Sequence, residues 1–83
     1  MVLILKIVNI SATDDYFIIA EFENCVKKKI NFKEYLKSQA FLPLVNIDLF
    51  KAVSLYYGIP VWLNGKIDIA PEFIYENGVE MNI

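Results

Sequence analysis

The chain has 83 residues, 57% of them hydrophobic, with eight basic residues, ten acidic residues and a formal net charge of −2. All eight basic residues are lysine, and histidine is absent. That removes the commonest general base, the Ser–His and Cys–His nucleophile pairs and the histidine zinc patterns. It also removes the guanidinium fork that reads phosphate and guanine, and an acidic chain lacks the basic footprint of a nucleic-acid binder, so no direct nucleic-acid contact is expected.

The apolar opening Met1-Val2-Leu3-Ile4-Leu5 ends at Lys6 and has no basic leader before it. It is too short for a signal-peptide core or a membrane span. One cysteine, Cys25, closes no disulfide or thiolate cage within the chain. Both features lead to the expectation of a cytoplasmic protein outside the membrane.

Residues Leu3–Ile10 are rich in β-branched side chains and predict a first strand, closed by the polar stretch Ser11-Ala12-Thr13-Asp14-Asp15. Tyr16–Glu23 and Val26–Phe32 predict a hairpin turning on Asn24-Cys25, because asparagine tolerates the left-handed backbone a two-residue turn requires. That turn sets Glu21 opposite Lys28, Ile19 opposite Ile30 and Phe17 opposite Phe32. Apolar side chains then occupy both faces of the hairpin. One face is expected to pack the domain's own helices and the other, carrying Phe17 and Ile19, to be an interface.

The middle of the chain predicts short helices. Asn31 with Glu34 reads as a capping box opening Phe32–Lys37, Pro43 interrupts the following stretch, and Asn46 caps Ile47–Val53. Two strands, Val53–Tyr57 and Pro60–Leu63, flank a turn at Gly58, and Asn64-Gly65 is the strongest hairpin signal in the chain. Lys66–Ile69 leads to a helical turn beginning near Pro71 and stopped by Asn77-Gly78. The order β-β-β-α-α-β-β defines an α+β class: one domain over 1–83, mostly antiparallel sheet, with short helices on one face.

Few residue groupings carry chemistry. Lys27-Lys28-Lys29 alternates between strand faces and so forms no single basic patch. Asp14-Asp15 and Asp68 with Glu72 lack calcium-loop spacing and fit turns and helix starts, so no metal, cofactor or catalytic residue is assigned. Cys25 has no partner thiol or histidine to activate it. The aromatic group Tyr56, Tyr57 and Trp62 divides between core and interface roles, and strand alternation sends the two tyrosines to opposite faces. Candidate partner-interface residues are therefore Phe17, Ile19, Tyr56, Tyr57 and Trp62.

The last third carries a recognisable pattern. Gly58-Ile59-Pro60-Val61-Trp62-Leu63-Asn64-Gly65 is followed by Asp68-Ile69-Ala70-Pro71-Glu72-Phe73-Ile74-Tyr75-Glu76. This resembles the signature of the small bacterial domain-of-unknown-function family numbered 2442. Asp14-Asp15-Tyr16, Phe22-Glu23-Asn24 and Tyr35-Leu36 agree as well, so the likeness covers nearly the whole chain. Cys25 stands where that family usually has a turn glycine, and Leu63 where a proline is common. The motif residues are Gly58, Trp62, Asn64, Gly65, Asp68, Pro71, Glu72 and Tyr75.

The family has no established activity. The resemblance implies a stand-alone, non-enzymatic interaction module, the antitoxin-like or regulatory member of a two-protein bacterial system. Its expected partner is itself, as a homodimer, or a small protein. The alternative is an accessory regulatory domain serving a separate DNA-binding protein, or a small-ligand-binding domain. A ligand domain calls for a cleft on the order of several hundred Å³ with converging polar groups, Asp68, Glu72 and Asn64 first among them.

Overall fold

The computed structural model describes residues 5–81. The chain is α+β, with two antiparallel sheets. The first sheet holds β1 (Ile7–Ala12), β2 (Phe17–Phe22), β3 (Lys27–Asn31) and β7 (Val79–Glu80), in the order β1-β2-β3-β7. The second holds β4 (Ser54–Tyr56), β5 (Ile59–Trp62) and β6 (Ile67–Asp68), with β5 central. Between the sheets in sequence lie two 3-10 segments, Lys33–Lys37 and Gln39–Val45, and the single-turn helix α1 (Ile47–Phe50). Helix α2 (Pro71–Asn77) leads into β7. Among the described residues no helix is long and apolar enough to cross a membrane.

The expected β2–β3 register is displaced by one residue. Ile18 pairs with Ile30, Ala20 with Lys28, Glu21 with Lys27 and Phe17 with Asn31. The cause is the turn. Phe22 N–H donates to the Val26 carbonyl at 2.8 Å and Cys25 N–H to the Phe22 carbonyl at 2.9 Å. The loop is thus three residues, Glu23-Asn24-Cys25, closed by Cys25 in the left-handed region at φ 71°. A one-residue slip moves every side chain to the opposite partner face. Here it pairs the two isoleucines across one buried face, with Ala20 and Phe22 beside them.

The loop joining β1 to β2 follows the same plan. Thr13 N–H donates to the Phe17 carbonyl at 2.9 Å, and Asp14-Asp15-Tyr16 closes with Tyr16 at φ 64°. The first strand begins later than expected, at Ile7, and Leu3 and Ile4 lie outside the described residues. A register shift between Ile7 and Asn9 leaves Val8 on the solvent side.

Caps explain where the helices begin and end. The Asn46 side-chain oxygen accepts from Asp48 N–H at 3.0 Å and Leu49 N–H at 3.3 Å, opening α1. Asn31 accepts only from Lys33 N–H, at 3.0 Å, which favours a tight 3-10 turn over an α-helix there. Pro43 lies inside the second 3-10 segment. Pro71 opens α2, and Gly78 N–H closes it on the Ile74 carbonyl at 2.8 Å. A Cβ on Gly78 would sit 2.7 Å from that carbonyl, so glycine is required there for close approach. The chain then runs straight into β7, a strand whose two residues give no pattern readable in sequence.

The core lies between the sheets and the helical segments. Trp62 is 1% exposed; its indole N–H donates to the Phe50 carbonyl at 2.9 Å, and its ring stacks on Phe50 at 6.3 Å. Phe32 stands 6.1 Å from Trp62 and 6.0 Å from Phe50, joining the end of β3 to the same cluster. The tryptophan therefore ties the second sheet to α1 and the first sheet. Its candidate interface role is replaced by a core role, since it has no surface to offer a partner.

Candidate functional site

The outer face of the first sheet carries Phe17 and Ile19, both half-buried. Lysines on β3 cover part of it. Lys29 Nζ lies 4.6 Å from the centre of the Phe17 ring, and Lys27 pairs across the strands with Glu21. Glu21 in turn accepts from Asn9 Nδ2 at 2.9 Å. Lys28 points to the other side, where its Nζ stands 4.8 Å from the Tyr75 ring. The lysine run therefore divides between two aromatic rings on opposite faces, as strand alternation requires. Phe17 is thus already engaged by a cation of its own chain.

The second sheet is organised differently. Both of its hairpins turn on a residue pair at positive φ, the type I′ pattern, within a two-residue loop between β4 and β5 and a four-residue connection, Leu63–Lys66, between β5 and β6. Asn64-Gly65 makes one, at φ 56° and 88°, with Lys66 N–H donating to the Leu63 carbonyl at 3.2 Å. Tyr57-Gly58 makes the other, at φ 49° and 79°. Because Tyr57 belongs to the turn and not to a strand, the alternation that would separate it from Tyr56 does not operate. Both tyrosines face solvent, Tyr56 at 63% and Tyr57 at 79% exposure, with their rings edge to face at 4.6 Å.

Gly58 packs against Lys6, the residue before β1. A Cβ there would stand 2.9 Å from the Lys6 Cβ, and its carbonyl accepts from Ile7 N–H at 3.2 Å. The tip that presents the tyrosines is therefore pinned to the start of β1. Beside it lies a cleft of about 330 Å³ whose walls include Lys6, Tyr57, Ile59, Asp68, Pro71 and Glu72. Two of the three polar residues expected to converge, Asp68 and Glu72, share this cleft. Asn64 lines a separate one of about 340 Å³ with Ser54 and Tyr56.

A scan against protein-family models finds no match for this chain, and searches of curated proteins and of solved structures return none either. The resemblance rests on its motif residues alone, and most of them have a structural task. Gly58, Asn64 and Gly65 form turns, Trp62 fills the core and Pro71 starts α2. Tyr75 packs edge to face on Phe22 at 5.0 Å, and its hydroxyl meets Asn24 Nδ2 at 3.3 Å. Leu63 has φ 53°, a backbone that proline cannot adopt. Asp68 and Glu72 are the motif residues left to face solvent beside Tyr57.

One titratable group is displaced from its ordinary value. The Lys51 ammonium is raised above 10.5 by its hydrogen bond to Asp14 at 2.7 Å and by the charge of that carboxylate. This pair ties the β1–β2 loop to the end of α1.

Proposed function

We propose that this chain is a non-enzymatic protein-interaction module that docks through the Tyr56-Tyr57 hairpin. The observation that carries the reading is Tyr57 itself. A bulky aromatic at positive φ costs about 1–2 kcal/mol relative to residues that tolerate the left-handed region. Strain of that kind persists where packing or function maintains it, and the ring packing of Tyr57 is limited to the exposed Tyr56 ring. Tyrosine is also among the residues in which interface energy concentrates. The tip is held against β1, so little backbone order remains to be paid for on binding.

The partner class follows from the resemblance: a small protein encoded with this one, to which the chain stands as an antitoxin-like or regulatory member, or a second copy. Tyr57→Asn separates docking from folding, because asparagine accepts the turn backbone and removes the ring. We expect the tagged chain to co-purify from its native host with one stoichiometric protein. The Y57N variant should then bind that protein about thirtyfold more weakly, the loss of one interface hot spot. For a homodimer the same variant shifts the dissociation midpoint measured by light scattering. A chain that stays monomeric at micromolar concentration and retains no stoichiometric protein overturns the reading, as does a partner indifferent to Y57N.

A further inference from the structure

The cleft beside Tyr57 has a charge pattern of its own. Asp68 and Glu72 contribute two carboxylates and Lys6 one ammonium, against apolar surface from Ile59 and Pro71. Among the described residues the one ion pair is Lys51 with Asp14, so Lys6 pairs with neither carboxylate. The side chains of Asp68 and Glu72 accept no hydrogen bond from any described side chain or backbone group. Glu72 is half-buried, so its charge is screened less than that of a fully exposed residue.

These groups select among possible occupants. An anionic side chain would meet two carboxylates and only one ammonium, that of Lys6. An apolar one would fill the cleft and leave both carboxylates without a counter-charge. Two carboxylates supply too few oxygens for a calcium-type shell of 6–8. Two carboxylates against the one Lys6 ammonium leave the cleft one net negative charge, which a long basic side chain neutralises: its alkyl stem lies on Ile59 and Pro71, its charge meets Asp68 and Glu72, and the Tyr57 ring offers a cation-binding face. We infer that the protein partner places a lysine or arginine side chain in this cleft. The inference rests on the reading of Tyr57 as a docking residue and specifies what that residue meets.

The test uses the full chain, isotopically labelled, and three short acetylated peptides that share one apolar frame. They differ in a central arginine, norleucine or glutamate. The arginine peptide should shift the amide signals of Tyr57, Gly58, Ile59, Asp68 and Glu72 and bind about fivefold more tightly than the norleucine peptide. The glutamate peptide should bind most weakly. Asp68→Asn with Glu72→Gln, both isosteric, should erase the arginine advantage without disturbing the remaining spectrum, and added salt should reduce it. Equal binding of the arginine and norleucine peptides at these signals overturns the basic occupant while leaving Tyr57 as a docking residue. Shifts elsewhere, or none with any peptide, also overturn the inference; the docking reading then stands or falls on whether the host partner responds to Y57N.

Discussion

The two sheets turn their corners with different chemistry. The first uses three-residue loops closed by Tyr16 and Cys25, neither a glycine, at positive φ. The second turns on residue pairs whose second member is glycine and whose first is Tyr57 or Asn64, with Leu63 also at positive φ before Asn64. Tyr16 recovers its backbone cost, because its ring packs 5.2 Å from Phe50 and its hydroxyl donates to the Val45 carbonyl. Cys25 and Leu63 are exposed, and Tyr57 has only its edge contact with the exposed Tyr56 ring at 4.6 Å. The same backbone strain is thus compensated at Tyr16 and largely uncompensated at three exposed residues, Cys25, Tyr57 and Leu63. Of those three, only Tyr57 presents a large amphipathic surface, which separates a docking residue from an incidental replacement.

The largest expected effect tests what joins the two sheets. Trp62→Ala should cost about 3–5 kcal/mol in denaturant unfolding, the range for truncating a buried aromatic. Trp62→Phe keeps the ring but leaves the buried Phe50 carbonyl without its donor, at about 1–3 kcal/mol. If both sheets unfolded independently after either change, the view of one shared core would fail.

The turn comparison makes opposite predictions for similar substitutions. Tyr16→Gly relieves the backbone but forfeits the Phe50 contact and the hydroxyl bond, so we expect a net loss of about 1–2 kcal/mol. Cys25→Gly forfeits no buried contact and should raise stability by about 1 kcal/mol. Changes of the same sign at both positions would break the distinction between compensated and uncompensated strain. Thermal melts of the two variants beside the parent chain decide it.

The smallest effect concerns the Lys51–Asp14 pair. Its lysine is raised in the folded state, so the pair's contribution is fully present below the unfolded lysine value and is lost as pH rises through the folded one, above 10.5. Lys51→Met should therefore change stability least of the series, and its difference from the parent should vanish at high pH. Exposed pairs of this kind contribute little. A large loss at neutral pH would show the β1–β2 loop to be anchored by this pair more than by Tyr16.

Strong local signals carried into the fold. Asn64-Gly65 specifies its turn, Asn46 its cap, and Pro71 with Gly78 the bounds of α2, because each depends on a residue type that few others replace. The β2–β3 register was not legible. Asn24-Cys25 reads equally well as a two-residue turn or as the end of a three-residue loop, and only the burial of Ile18 with Ile30 decides between them. The site was half legible. The tyrosines stood out by composition and Asp68 with Glu72 by chemistry, but period-2 alternation does not apply to a residue inside a turn. The signal that placed Tyr57 there was the glycine after it.

The indole–carbonyl bond at the centre of the core has a practical consequence. Trp62 is the chain's one tryptophan, and it is sealed from solvent more than one would expect from a residue on a short hairpin. Its fluorescence therefore reports loss of the core. Unfolding should move the tryptophan emission toward that of a hydrated indole; occupation of the tyrosine hairpin should leave it where it is. The molecule thus carries an intrinsic optical probe that separates unfolding from binding at its surface.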